Sequence, residues 1–403
     1  MSVPPYALGR PRSAGLGLRL LLGRLGRLRH GSLTVALPSG EPVEIAGSEP
    51  GPSGVMQLQR PWAVNLRVAW RGVLGLGESF VAGDWDSPEP TALLALLAAN
   101  EQALLGTDAG PGRWSARLAH RRRRNTRRGS RRNIQAHYDL GNDFYRLWLD
   151  ETMTYSGAEF ATADHDLAAA QRHKYRRILD ALDLQPGQKL LEIGCGWGGL
   201  ALEAARRGAS VTALTLSREQ LAFARARLEE AGLAHRVELR LQDYRELTGE
   251  FDALVSVEML EAVGEEYWPR YFRTLHDRVR PGGRVLVHGI VIHPDWFEGY
   301  RRNPDFIQRH VFPGGMLPTR DLLVQGLDSA GLRLEDETAL GSHYARTLAQ
   351  WQRRFVAQAG AVAAQGFDLR FRRLWRYYLA YCEAGFLTDR LDLLRLTLQR
   401  APS

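Results

Sequence analysis

From about residue 136 onward, the chain alternates short apolar runs with amphipathic stretches. The apolar runs predict β-strands at residues 189–193, 210–214, 237–241, 253–257 and 284–290. Residues 200–207 read as a helix, and Ser217 is expected to cap a second helix that ends near residue 230. Gln220, three positions after Ser217, would complete a capping box. Strands that alternate with helices predict a parallel sheet covered by helices on both faces.

Residues 1–112 show a different pattern. Strand-like runs at residues 32–36 and 55–58 and a helical stretch at residues 91–105 predict a small α+β domain. Near its start, leucines recur at helical spacing beside arginines; they are Leu18, Leu21, Leu22, Leu25 and Leu28. Such a stripe is typical of a helix packed on its own domain. The alternative is a helix that lies on a membrane surface.

Residues 113–135 are strongly basic, with arginines at 121–124, 127, 128, 131 and 132 and no acidic residue among them. Like charges at this density repel one another, which predicts an extended linker before a catalytic domain at residues 136–403. Contact with lipid phosphates is the functional alternative. Nucleic acid is disfavoured as a partner, because no aromatic residues are interleaved as a base-stacking surface requires.

Composition narrows the class of protein. A net charge of +8 favours anionic surfaces as partners. The two cysteines, Cys195 and Cys382, are too few for a disulfide framework or a cysteine-based zinc site, and they fit a reducing cytoplasm. No apolar run reaches the roughly 18 residues that a membrane span requires. We therefore expect a cytoplasmic protein.

A glycine motif follows the first predicted strand. Glu192, Gly194, Gly196 and Gly198 form an E-x-G-x-G-x-G pattern at the point where a helix begins. Glycines let a backbone turn sharply and approach a nucleotide closely at the carboxyl end of a strand. The spacing differs from the G-x-G-x-x-G pattern of NAD sites, and no acidic residue ends the second strand. These features favour S-adenosylmethionine, with Tyr244 placed where adenine would be held.

Methylation of nucleic-acid bases is disfavoured, because the fourth strand is not followed by an Asn- or Asp-Pro-Pro-Tyr loop. Other motifs run in order from about residue 133 to 395. They are residues 136–145 (AHYDLGNDFY), 154–156 (TYS), 312–315 (FPGG), 344–348 (YARTL) and 377–382 (YYLAYC). Together they resemble the cyclopropane-fatty-acyl-phospholipid synthases and the related mycolic acid cyclopropane synthases.

The resemblance implies a class I S-adenosylmethionine methyltransferase fold, a Rossmann-like α/β domain with a seven-stranded sheet. It implies methylene transfer to the double bond of unsaturated phospholipid acyl chains, with a carbocation deprotonated by bound bicarbonate. The implied bicarbonate holders are the side chains of Glu261, His288 and Tyr344 and the backbone of Gly157 and Ile290. The implied cofactor contacts are Tyr138, Tyr155, Ser156, Gly194, Gly196, Thr215, Leu216, Gln220 and Tyr244. Two like charges in one dry site, Glu261 and bicarbonate, would have to share a proton.

Two positions depart from the family pattern. Gly157 stands where most members have cysteine, and Ala262 stands where a histidine usually follows the glutamate. A glycine retains the backbone N–H donor, which leaves ring formation as the first expectation. If the thiol matters, proton loss would be redirected to give a methylene- or methyl-branched acyl chain.

We expect peripheral association with the inner leaflet of an anionic membrane, and the resemblance leaves a homodimer open.

Overall fold

A computed structural model of the chain describes residues 16–105 and 140–402. The basic stretch at residues 113–135 and Tyr138 lie outside the described residues. The described chain divides into two compact units, one of which combines the N-terminal region with residues 368–388. The second unit holds the remainder of the chain up to its end. The sequence analysis assigned all of residues 136–403 to the catalytic domain, whereas the structure groups the helix Leu369–Leu387 with the N-terminal unit.

The first unit contains a four-stranded sheet in the order β2-β1-β3-β4. Its strands are β1 (His30–Ala36), β2 (Pro42–Ala46), β3 (Glu49–Leu58) and β4 (Trp85–Asp86). Its helices are Leu16–Leu25, Pro61–Arg71, Val73–Val81, Pro90–Ala99, Glu101–Leu105 and Leu369–Leu387. The helix expected at residues 91–105 is interrupted at Asn100. The side-chain carbonyl of Asn100 accepts from the backbone N–H groups of Arg29 and His30, at 2.8 and 2.9 Å.

The leucine stripe of the first helix faces the core. Leu21, Leu22, Leu25 and Leu28 are all buried, as expected for a stripe that packs on its own domain. The opposite face of the same helix leaves Leu16 and Leu20 exposed. The helix Pro61–Arg71 is bonded to this first helix, because the Asn65 amide donates to the carbonyl of Gly17.

The second unit is built on a seven-stranded sheet in the order β10-β11-β9-β8-β5-β6-β7. Strands β5 to β9 run parallel, and β11 is antiparallel to both of its neighbours. The strands are β5 (Lys189–Ile193), β6 (Ser210–Thr215), β7 (Val237–Leu241), β8 (Phe251–Val257), β9 (Val279–Ile292), β10 (Leu332–Ala339) and β11 (Leu391–Arg400). All five strands expected from the apolar runs are confirmed. The expected fold class is confirmed as well.

Helices flank this sheet. They are Asn142–Arg146, Leu167–Ala181, Gly199–Arg206, Arg218–Glu230, Trp268–Arg278, Pro294–Arg302, Phe306–His310, Arg320–Ser329, Gly341–Ala357 and Ala359–Ala364. The Ser217 side chain caps the helix Arg218–Glu230 by accepting from the Gln220 N–H at 3.2 Å. The side-chain carbonyl of Gln220 accepts from the Thr215 hydroxyl at 3.0 Å instead of completing the expected capping box.

The order of the strands places the ligand site. The chain moves outward from β5 to β6 and β7, then crosses back so that β8 lies on the other side of β5. In doubly wound sheets, ligands bind beyond the carboxyl ends of the strands at such a switch point. The glycine motif lies at the end of β5, and an acidic cluster, Glu258 and Glu261, follows β8. Within residues 16–105 and 140–402, no helix is both long and apolar enough to cross a membrane.

Candidate active site

The glycine motif forms a tight loop at the end of β5. Gly194, Gly196 and Gly198 all have positive φ angles, of 88°, 51° and 78°, in the region that glycine adopts most readily. The N–H of Gly194 donates to the Leu214 carbonyl at 3.0 Å, which ties this loop to β6. A Cβ atom on Gly196 would meet nothing within 4 Å. At Gly196 the described residues therefore leave space beside the backbone, whereas a Cβ on Gly194 would lie 3.0 Å from Met259 and one on Gly198 would lie 2.9 Å from Ala224.

Glu192 lies inside the same motif, one residue before the end of β5. It is buried, and burial raises the pKa of its carboxyl group to about 8. Its Oε2 atom has no hydrogen-bond partner among the described residues. A protonated carboxyl with an unsatisfied oxygen beside a glycine loop is suited to a polar ligand group. The residues at this edge fit S-adenosylmethionine, which supplies an electrophilic methyl group when bound.

The ends of β6 and β7 hold the other expected cofactor contacts. Thr215 and Gln220 are buried and bonded to each other, and Leu216 follows at the strand end, half-buried. Tyr244 begins a short 3-10 turn after β7, and burial raises the pKa of its hydroxyl to about 12. The structure thus brings these four residues to the same edge of the sheet as the glycine loop.

The Thr-Tyr-Ser segment crosses this edge. The Tyr155 ring packs among Tyr145, Trp148 and Trp351, with ring centroids 5.4, 5.4 and 5.3 Å away. The adjacent Ser156 hydroxyl accepts from the Lys174 ammonium at 2.6 Å. Of the expected cofactor contacts, only Tyr138 lies outside the described residues.

Lys174 is a residue that sequence reasoning missed. It lies on the helix Leu167–Ala181 and is fully buried, and burial lowers the pKa of its amine to about 8. Lysines on amphipathic helices are ordinarily exposed, so the sequence carries no signal for this placement. The hydrogen bond from Lys174 therefore fixes the Ser156 side chain, one of the expected cofactor contacts.

The centre of the acidic cluster is Glu258, to which the sequence analysis assigned no role. One carboxylate oxygen accepts from the N–H of Gly157 at 2.7 Å, and the other accepts from the Tyr344 hydroxyl at 2.6 Å. The Nδ1 atom of His288 lies 3.5 Å from the first oxygen. The Glu258 side chain is only 8 % exposed. Three of the five expected bicarbonate holders therefore surround a carboxylate that belongs to the chain.

Glu261 occupies a neighbouring position. Its Oε1 atom accepts from the N–H of Ile290 at 2.5 Å, which accounts for the other two expected holders. Burial, and then the nearby charge of Glu258, raise the pKa of Glu261 to about 8. At neutral pH Glu261 therefore holds a proton. The sequence analysis expected the charge of bicarbonate beside Glu261, and in this structure the charge that acts on it is that of Glu258.

His288 lies near the end of β9 and is 1 % exposed. Burial lowers the pKa of its imidazole, and the adjacent Glu258 carboxylate acts in the opposite direction. Its backbone carbonyl accepts from the N–H of Glu258 at 2.6 Å, so the two residues are joined through their main chains. A neutral imidazole at this position can exchange a proton with the adjacent carboxylate.

Bicarbonate does not fit this arrangement. The backbone N–H and phenol that would hold it already donate to Glu258, and the N–H of Ile290 donates to Glu261. A second anion would also lie against a buried carboxylate, which is costly where solvent screening is weak. The residues of this site therefore supply an anion of their own.

The segment that contains Gly157 is fixed from both sides. The N–H groups of Ala158 and Phe160 donate to the side chains of Thr347 and His343, at 3.0 and 3.1 Å. The carboxylate of Glu159 forms a buried ion pair with Arg395 of β11.

Gly157 itself is tightly enclosed. A Cβ atom on this residue would lie 2.8 Å from the Leu393 side chain and 3.1 Å from the Tyr344 ring. The cysteine that is usual in the family would not fit here without displacement of these neighbours.

Comparison with known proteins identifies the family of this chain. The family model described as mycolic acid cyclopropane synthetase matches residues 125–396. The chain belongs to this family. Tuberculostearic acid methyltransferase UfaA1 of Mycobacterium tuberculosis is 43 % identical over 355 residues, which cover 85 % of this chain and 82 % of that protein. The cyclopropane-fatty-acyl-phospholipid synthase of Escherichia coli is 36 % identical over 345 residues, 83 % of this chain and 85 % of that protein.

A solved structure extends the comparison. The mycolic acid cyclopropane synthase CmaA1, in complex with SAH and CTAB, has a TM-score of 0.63 and 30 % identity. The match covers 67 % of this chain and 98 % of that one. This member of the cyclopropane synthetase family is therefore an S-adenosylmethionine-dependent methyltransferase that acts on fatty acyl chains.

Proposed function

We propose that this methyltransferase adds one carbon to a double bond of an unsaturated phospholipid acyl chain and releases a methylene-branched chain. The observation that carries the proposal is the enclosed carboxylate of Glu258, held by Gly157 and Tyr344 at the same sheet edge as the cofactor loop. A proton must leave the transferred methyl group, and a buried carboxylate is a suitable acceptor.

The steps balance as follows. The alkene electron pair forms a bond to the sulfonium methyl carbon, the carbon–sulfur bond breaks, and the neighbouring chain carbon becomes positive. Migration of a hydride from the methylated carbon moves the charge to that carbon. Loss of a proton from the new methyl group then forms a double bond between that carbon and the chain, which is the methylene branch. The product is the substrate plus one CH2, with no reductant consumed.

Ring closure is the second candidate. Without hydride migration, loss of a proton from the same methyl group closes a cyclopropane of identical mass. The name of the E. coli relative supports this outcome, and the name of the more similar UfaA1 supports methyl transfer without a ring. Gly157, in place of the usual cysteine, also favours the branched product over the ring in this chain.

The membrane part of the proposal rests on the first unit. Two of its helices leave large apolar side chains in solvent, namely Leu16, Leu20, Trp62, Leu66 and Trp70, each at least 50 % exposed. Exposed arginines, Arg19 and Arg27, accompany them. Tryptophan beside arginine suits the interface of an anionic bilayer, where the ring is half-buried and the guanidinium meets phosphate. We therefore place the phospholipid substrate in a membrane that this surface contacts.

Product analysis tests the reaction. Expression in a host that is rich in monounsaturated phospholipids and has no cyclopropane synthase should give acyl chains enlarged by one CH2. Proton NMR of their methyl esters should show vinylidene protons and no cyclopropane protons. Feeding methyl-deuterated methionine should give a product that has lost one deuterium. Cyclopropane signals would favour the second candidate, and unchanged acyl chains would refute both.

Vesicle binding tests the membrane surface. Replacing Trp62, Leu66 and Trp70 together by serine should weaken sedimentation with anionic vesicles by about tenfold or more, because three exposed apolar anchors are lost. The matched control is Val356→Ser, which removes an exposed apolar side chain from the second unit and should have no effect. Equal binding of both variants would refute this surface.

A further inference from the structure

The anion at the centre of this site belongs to the chain. We infer that Glu258 is the resident proton acceptor of the reaction and that the enzyme turns over without bicarbonate. This inference rests on the proposed function in one respect, which is that the proton comes from the methyl group transferred in that reaction. The step forms an O–H bond on the Glu258 carboxylate, breaks a C–H bond of the transferred methyl group, and leaves that electron pair with the acyl chain.

Hydrogen-bond geometry is the first support. The two oxygens of Glu258 have separate donors, the N–H of Gly157 at 2.7 Å and the hydroxyl of Tyr344 at 2.6 Å. The imidazole of His288 lies 3.5 Å from the first oxygen. These are the donors expected for a bound bicarbonate, and a carboxylate presents the same planar pair of oxygens to them. The Glu258 side chain can therefore present to these donors the two oxygens that bicarbonate would present.

Backbone conformation is the second support. Glu258 has a φ angle of 47°, in the left-handed region that side-chain-bearing residues rarely adopt. The strained turn comes directly after β8 and directs the carboxylate back toward Gly157 and not into solvent. Strain of this kind persists where surrounding contacts impose it, and it concentrates at functional sites. A glycine would adopt this turn more easily, so the glutamate occupies this position against the local backbone preference.

The neighbouring carboxyl cannot serve in its place. Glu261 keeps a proton up to a pH of about 8 because it is buried and lies near the charge of Glu258. Its Oε1 atom is also engaged by the N–H of Ile290. Glu261 is therefore protonated near neutral pH and cannot accept the proton. Glu258 is the carboxylate that the donors of the site surround.

The decisive variant is Glu258→Gly, which removes the carboxylate. Glycine adopts the left-handed turn without strain. The N–H of Gly157 and the hydroxyl of Tyr344 then remain available as donors. In CO2-free buffer under argon, SAH formation with unsaturated phospholipid vesicles should fall by about 100-fold or more. Added bicarbonate or formate should restore a substantial part of the rate in a saturable manner. The wild-type rate should not respond to either ion.

The matched control is Asp183→Gly. Asp183 is another non-glycine residue with a left-handed backbone, φ 50°, and it lies in a turn before β5. This variant relaxes the same kind of strain away from the site, and it should retain wild-type turnover with no response to bicarbonate. A calorimetric titration with S-adenosylhomocysteine should show unchanged affinity for both glycine variants.

A bicarbonate-binding experiment tests the inference without a lipid substrate. Bicarbonate labelled with carbon-13 should show saturable line broadening with Glu258→Gly and none with the wild type. Saturable binding to the wild type, or full turnover of Glu258→Gly without added ions, would overturn the inference. Failure of the proposed function would look different, because no acyl chain would gain a carbon in the product analysis while the binding contrast persisted.

Discussion

Restoring the family cysteine at residue 157 should damage both stability and turnover. In the structure, a Cβ on Gly157 would lie 2.8 Å from Leu393 Cδ2 and 3.1 Å from Tyr344 Cγ. Ordinary carbon contacts are about 3.5–4.0 Å, so the first contact is short by roughly 1 Å. The Leu393 methyl group can rotate away, but the Tyr344 ring cannot move without carrying its hydroxyl with it. That hydroxyl is 2.6 Å from Glu258.

The magnitude follows from these two contacts. Overpacking a buried site costs about 1–3 kcal/mol, and each kcal/mol lowers the Tm of a domain of this size by roughly 2–4 °C. Loss of one hydrogen bond to a charged group costs about 1.5–3 kcal/mol, which corresponds to roughly 10–100-fold in rate if the carboxylate is the proton acceptor. Gly157→Cys should therefore unfold several degrees earlier and turn over roughly 10–100-fold more slowly.

The assay pairs differential scanning calorimetry with SAH formation. Gly157→Ala should show a smaller loss, because it adds the Cβ without the sulfur. Gly360→Cys is the matched control, since a Cβ there would meet nothing within 4 Å. If Gly157→Cys retained the wild-type Tm and rate, the packing of Tyr344 against residue 157 would not restrain the carboxylate as we argue.

Three further predictions concern the same unit. Tyr344→Phe should lower kcat by roughly 10–100-fold while SAH affinity is retained, because Glu258 loses its phenol donor; an unchanged kcat would contradict the arrangement. Between pH 4.5 and about 8, Glu192 in the folded protein holds a proton that the unfolded chain has lost, so the stability of the protein should fall as pH rises. Glu192→Gln should flatten the plot of Tm against pH. An equal slope in this variant and the wild type would refute the raised pKa of Glu192. Arg395→Met should cost up to about 3–5 kcal/mol, because the buried Glu159 keeps only the half-exposed Arg177 as an ion-pair partner, at 3.6 Å. Arg395→Met with Glu159→Gln should recover part of this in urea unfolding.

Much of the catalytic fold could be predicted from the chain, because buried parallel strands are continuous apolar runs that are easily located. Two strands were missed. β11 (Leu391–Arg400) is rich in leucine, whose spacing there fits a helix face as well as a strand, and β10 (Leu332–Ala339) is mostly polar at the sheet edge. The sequence pattern alone cannot show that such a segment is a strand, because its pairing with distant segments determines whether a strand forms.

The site was predicted in part for a related reason. Motif order indicated Glu261, His288 and Tyr344, and the structure brings them to one region. The role of Glu258 depends on a left-handed turn and on contact with Gly157, 101 positions away in the chain. No local pattern contains that contact. The same applies to Lys174, whose burial depends on how its helix packs.

The order of the late elements in the chain has a consequence for truncation. β11 is an interior strand with a partner on each side, and the helix before it completes the N-terminal unit. A chain cut before residue 369 would lack both elements and would leave the edge of β9 unpaired. Each unit therefore depends on a segment that is distant in the sequence, so a single cut near this point should make both units prone to aggregation.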